Sequence, residues 1–119
     1  IAGYMEKYNP DEYEYRVDDR MRRLIAKRDW GRWGENDTLY VNFLTDNDIT
    51  GGNSGSPVLD GKGHLIGLAF DGNRESMAGD VWFHPELART VCVDIRYVMW
   101  VIDKYADAGW WLDERKLAK

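Results

Sequence analysis

Thr50-Gly51-Gly52-Asn53-Ser54-Gly55-Ser56-Pro57 decides how this chain is read. It sets a serine between glycines in a short polar turn. Serine is a poor nucleophile at neutral pH, so a reactive one needs a base to take its proton and N–H donors aimed at the oxyanion that forms. Glycine tolerates the backbone angles that let the N–H groups of Gly52 and Ser54 point into one small cavity. Ser54 is therefore a candidate nucleophile, with Gly52 and Ser54 as its candidate oxyanion hole. The bare Gly-x-Ser-x-Gly spacing does not fix the fold, because it also marks the strand-to-helix elbow of α/β-hydrolases.

The residues that follow are not helical in pattern. Pro57-Val58-Leu59, a turn at Asp60-Gly61-Lys62-Gly63, and the apolar run Leu65-Ile66-Gly67-Leu68-Ala69-Phe70 predict a β-hairpin. A serine turn running into a hairpin resembles the chymotrypsin-like peptidases rather than a hydrolase elbow.

Length limits what the chain does alone. Its 119 residues suffice for one small domain and fall short of two barrels. The base and the carboxylate that orients it come, in a chymotrypsin-like enzyme, from upstream of the serine. Both histidines, His64 in the hairpin turn and His84 before Pro85, follow Ser54 and read as exposed turn residues. The expectation is a C-terminal piece of a longer enzyme whose upstream part carries the His and the Asp.

A net charge of -5 argues against a nucleic-acid or anionic-membrane surface. Arg16, Arg20, Arg22, Arg23, Lys27 and Arg28 cluster in a helical pattern beside Glu12, Glu14, Asp18 and Asp19, as on a solvated, salt-bridged helix face. The single cysteine, Cys92, excludes an internal disulfide and a cysteine-rich metal site, and its valine neighbours predict a buried thiol. No metal or organic cofactor is implied, and no membrane span is visible.

Three segments are expected: a helical lead-in over 1–34, strands with the nucleophile loop over 35–94, and a helix with its tail over 95–119. Tyr13, Val17, Met21, Leu24 and Ile25 predict an amphipathic helix over 11–28, ended by Trp30-Gly31-Arg32-Trp33-Gly34. Glu35-Asn36-Asp37 reads as a turn and Leu39 to Leu44 as a strand. A polar loop is expected over 71–80, with strands at Asp80 to Phe83 and Thr90 to Val93. Asp94 is placed to cap a last helix through Ile95, Val98, Met99, Ile102 and Tyr105, stopping near Gly109.

Three blocks in this order carry a closer resemblance. Thr50 to Pro57, then Leu65 to Asn73, then Val93-Asp94-Ile95-Arg96-Tyr97-Val98 are similar to the bacterial dipeptidyl-peptidases of serine peptidase family forty-six, from about Met5 onward. The resemblance implies a fold that is mainly β with flanking helices, the C-terminal part of a chymotrypsin-like double β-barrel. It implies a serine exopeptidase that takes dipeptides from free N-termini, with Ser54 as nucleophile. Asp71 would bind the substrate's α-ammonium group, with Asn73 beside it. Gly72 would bear on the S1 pocket, where glycine goes with aliphatic or aromatic P1 residues and arginine with acidic ones. Arg74 would supply such a cation only if the loop were shifted. The family further implies peptide substrates, a homodimer, and a place in the periplasm or at the surface of a Gram-negative bacterium.

Four other readings compete with this one. Asp48 stands where trypsin-like enzymes keep the aspartate that selects basic P1 residues, but those enzymes shape that pocket with a disulfide. Asn53 cannot make the ion pair with a freed N-terminus that activates zymogens. A periplasmic endopeptidase of the same fold shares Gly-Asn-Ser-Gly, and a non-catalytic structural fragment is the remaining alternative, since an isolated serine without its base is unactivated.

Overall fold

The structure is a computed structural model, described here for residues 1–73 and 89–114. Two compact units divide the chain: Val41–Ile95, and Ile1–Tyr40 together with Arg96–Lys119.

The Val41–Ile95 unit is an antiparallel sheet of β1 (Asn42–Thr45), β2 (Pro57–Leu59), β3 (Leu65–Gly72) and β4 (Thr90–Asp94), in the order β1-β4-β3-β2. The expected hairpin is β2–β3. Its turn is held by Asp60, whose Oδ1 accepts the N–H groups of Lys62 at 2.8 Å and His64 at 2.9 Å. β4 is central because its residues suit both neighbours: Thr90, Cys92 and Asp94 are buried and the valines between them half-buried. On one face Phe43, Cys92 and Ala69 lie in register. Gly67 joins that face because nothing larger fits. A Cβ there would stand 2.5 Å from the Val93 carbonyl and 2.7 Å from the Phe43 ring.

β3 departs from expectation at its end. It runs on through Asp71 and Gly72, which were expected in a polar loop, because both still pair with β4, opposite Val91 and Thr90. The register shifts between Ala69, which pairs with Cys92, and Asp71, leaving Phe70 as the extra residue of a β-bulge. Asn73 closes the ladder. Its N–H donates to the Arg89 carbonyl and its Oδ1 accepts the Arg89 N–H, each at 2.9 Å. The expected strand at Asp80 to Phe83 and His84 lie outside the described residues.

The other unit is built on α1 (Ala2–Glu6), α2 (Asp19–Ala26), α3 (Ile95–Trp100) and α4 (Gly109–Asp113). The expected helix over 11–28 is shorter. Glu12 and Arg16 are extended around a 3-10 turn at Tyr13–Tyr15, and α2 starts only where Asp18 accepts the Met21 N–H at 2.8 Å. Aspartate competes for backbone N–H groups, so Asp18 acts as a cap instead of continuing a helix. The strand expected over 39–44 is displaced for a similar local reason. Asn36 and Asp37, both at positive φ, make the Glu35–Thr38 turn, and Leu39 beyond it is fully buried in the helical unit's core, so β1 begins at Asn42.

That core is aromatic. Trp100 is fully buried, edge-on to Trp30 at 5.8 Å and stacked with Tyr97 at 6.1 Å, and its Nε1 donates to the Asp29 carbonyl at 2.8 Å. Val17, Met21, Leu39 and Leu112 complete it. The last helix is not continuous. After α3 it widens into a π-helical turn at Val101–Tyr105, and Gly109 starts α4 instead of ending the helix. The wide turn carries Asp103, whose carboxylate accepts the Trp33 Nε1–H at 2.9 Å. Among the described residues, no helix is long and apolar enough to cross a membrane.

Candidate active site

Two consecutive turns present Ser54. Asn53 donates its N–H to the Thr50 carbonyl at 3.2 Å, and Ser56 donates to the Asn53 carbonyl at 3.0 Å. Each turn needs positive φ at its third residue, and glycine supplies it: Gly52 at +97° and Gly55 at +85°. The spacing Gly52-x-x-Gly55 is thus a requirement of the backbone, and it brackets the serine.

The turns are fastened to β3 by backbone. Gly55 donates to the Ala69 carbonyl at 2.6 Å, and Ala69 donates to the Ser56 carbonyl at 2.9 Å. These bonds carry Ser54 to the bulge, where its hydroxyl donates to the Phe70 carbonyl at 3.3 Å. Among the described residues the N–H groups of Gly52 and Ser54 donate to nothing, so two backbone donors remain available beside the exposed serine. Asn53 is occupied locally, its amide reaching the Thr50 hydroxyl at 3.5 Å.

The other expected site residues follow the bulge. Asp71 comes directly after the residue that holds the Ser54 hydroxyl; it is exposed, and its Oδ1 accepts the Gly72 N–H at 2.8 Å. Gly72 is half-buried opposite Thr90, and Asn73 spends its side-chain oxygen on the ladder. Asp48 lines a cavity of about 240 Å³ whose walls include Asn53 and Ser56 but not Ser54. Arg74, like His84, lies outside the described residues.

His64 is far from the serine. Phe70 is six steps along β3 from His64, with five residues between, a span of roughly 20 Å at about 3.3 Å per step. Its Nδ1 instead lies 3.2 Å from Asp60 Oδ2. The His64 N–H, followed by that of Lys62 and the ring itself, holds the Asp60 carboxyl below its ordinary value. Cys92 is fully buried, and burial pushes its thiol up, away from the reactive thiolate. Among the described residues no three His, Cys, Asp or Glu side chains gather in a way that could hold a metal ion.

Phe70 is the site residue that sequence reasoning missed. It reads as one more apolar residue of a strand, yet it is 47% exposed and its carbonyl meets the serine. A bulge leaves no mark in a hydrophobic pattern.

The family profile described as Peptidase S46 matches residues 1–117. Dipeptidyl-peptidase 7 of Capnocytophaga gingivalis is 55% identical over 111 residues, covering 92% of this chain and 16% of that protein. The Asp/Glu-specific dipeptidyl-peptidase of the same organism is 50% identical over 120 residues, covering 100% of this chain and 17% of that protein. The crystal structure of Porphyromonas endodontalis DPP11 superposes with a TM-score of 0.92 at 40% identity, over 96% of this chain and 17% of that one. The chain therefore spans about a sixth of the length of the relatives it matches. With the family profile spanning nearly all of it, and a shared antiparallel sheet with helices, the chain belongs to the peptidase S46 family.

Proposed function

We infer that this chain carries the nucleophile of a serine-type dipeptidyl-peptidase and that the rest of the polypeptide carries the base. The observation behind the reading is the pair of N–H groups, Gly52 and Ser54, free among the described residues, beside an exposed hydroxyl on a loop tied to β3 by backbone hydrogen bonds. Ser54 Oγ attacks the carbonyl carbon of the second peptide bond, and its proton passes to the base. The carbonyl oxygen becomes an oxyanion held by the two N–H groups. The tetrahedral intermediate then expels the amine, which takes the proton, and water hydrolyses the acyl-Ser54 ester to release the dipeptide.

Asp71, exposed one residue past the Ser54 contact, is the carboxylate for the substrate's free ammonium, which confines cleavage to N-terminal dipeptides. Gly72 leaves room for a hydrophobic P1 side chain. Overall identity is no guide to P1, because relatives of both names are identical to this chain at 50% of the aligned residues. The open sheet supports a barrel completed by further strands, since among the described residues β1 and β2 are both edges and Leu44 of β1 is 61% exposed. The surrounding enzyme is taken as a secreted or periplasmic homodimer, from the family resemblance alone.

The test is hydrolysis of dipeptidyl fluorogenic substrates by the full-length enzyme, with free or blocked N-termini and hydrophobic or acidic P1, beside Ser54→Ala. Serine-dependent cleavage of free-amine, hydrophobic-P1 substrates alone supports all the roles. Equal cleavage of blocked substrates means an endopeptidase, and activity surviving Ser54→Ala removes the nucleophile.

A further inference from the structure

The bulge at Phe70 does two things at one point of the chain. It turns the Phe70 carbonyl toward the Ser54 hydroxyl, and it leaves a large apolar side chain 47% exposed next to Ala69, which is 4% exposed. The Ser54 hydroxyl is hydrogen-bonded to that carbonyl at 3.3 Å, so a base that takes its proton has to replace this bond, which brings the base to the neighbourhood of Phe70. His64 is excluded by its distance along β3 and by its bond to Asp60. More than four-fifths of the length of the relatives lies outside the matched region, so a base-bearing segment of the same polypeptide is available to cover the ring.

We propose that Phe70 is a positioning residue: its exposed ring is the seat against which the base-bearing part of the full-length polypeptide packs, and that contact sets the base in line with the Ser54 hydroxyl. This rests on Ser54 being the nucleophile, as argued above. Because the ring acts through the base and not on the substrate, its loss slows proton transfer for every substrate alike. A misplacement of about 1 Å at a reacting pair costs on the order of a hundredfold in rate.

The experiment compares Phe70→Ala, Phe70→Leu and Ser54→Ala in the full-length enzyme. Four quantities are read: kcat, KM, the rate of Ser54 labelling by a fluorophosphonate, and the pH profile of kcat/KM. Phe70→Ala is expected to lower kcat and the labelling rate by the same factor, roughly 10- to 100-fold. KM should stay within about twofold, the factor should hold across P1 and P2 side chains, and the pKa on the acid limb should shift. Phe70→Leu, which keeps an apolar side chain of useful size, should recover most of the loss. Unchanged kinetics in Phe70→Ala would overturn the proposal. So would a loss confined to KM and varying with the P2 residue, which would make the ring a wall of the substrate site, or a Phe70→Leu variant as slow as Phe70→Ala. Survival of activity in Ser54→Ala would instead overturn the nucleophile itself, so the two failures are distinguishable.

Discussion

Gly55 donates its N–H to the Ala69 carbonyl at 2.6 Å, and this bond ties the serine turn to β3 one residue before the bulge. Gly55 sits at φ +85° with nothing within 4 Å of where a Cβ would stand, so the glycine is required by backbone angle and not by space. Gly55→Ala should therefore cost about 1 kcal/mol or more through strain alone. If the turn relaxes to relieve it, Ser54 moves. The expected result is a modest fall in melting temperature with a much larger fall in fluorophosphonate labelling of Ser54. Equal, small changes in both would mean that the turn bears the strain without moving the serine.

Asp71 is exposed and keeps only the neighbouring Gly72 N–H as a described partner, so replacing it disturbs little of the fold. Asp71→Asn in the full-length enzyme should lower kcat/KM for free-amine dipeptides by at least tenfold, since a charge-assisted bond is lost. Substrates with a blocked N-terminus, cleaved poorly to begin with, should be unaffected. An equal loss on both kinds of substrate would assign Asp71 a structural role.

The legible part of this protein was whatever local chemistry dictates. Gly52 and Gly55 announce two turns because only glycine takes those angles cheaply, and Pro57 to Phe70 announces a hairpin because its turn residues and apolar runs agree. The illegible part was long-range. Val17 has helical spacing from Met21 but is buried outside any helix, because Asp18 captures the Met21 N–H and starts α2 afresh. Leu39 looks like strand and is core to the aromatic cluster, since the Glu35–Thr38 turn directs it there. Phe70 escaped notice because a bulge is set by pairing with β4 and not by the residues of β3.

Gly67 gives a stability test confined to the sheet. A Cβ at this position meets the Val93 carbonyl at 2.5 Å and the Phe43 ring at 2.7 Å, and the backbone atom cannot swing aside as a side chain can. Gly67→Ala should destabilise by about 1–3 kcal/mol, the usual cost of overpacking. Adding Phe43→Leu should return only part of this, because the clash with Val93 remains. Full recovery in the double variant, measured by urea denaturation, would place the whole conflict on the ring.

Asp18 gives a pH test of the helical unit. Its carboxyl is held below its ordinary value by the Tyr105 hydroxyl first and the Met21 N–H second, so the folded state favours the ionised form. A depressed carboxyl contributes stability that is present above its unfolded value, about 3.9, and is lost as pH falls through the lower folded value. Asp18→Ala removes the cap and the Tyr105 partner together and should loosen α2 by about 1 kcal/mol near neutrality. Asp18→Asn keeps a capping oxygen but no charge, so it should cost less. The measurement is hydrogen exchange of the α2 amides from Arg22 to Ala26. The gap between the native protein and Asp18→Asn should close as pH falls below about 4. A gap that persists once the pH has fallen below the lower, folded value would show that the carboxylate's charge contributes nothing and that its geometry alone caps the helix.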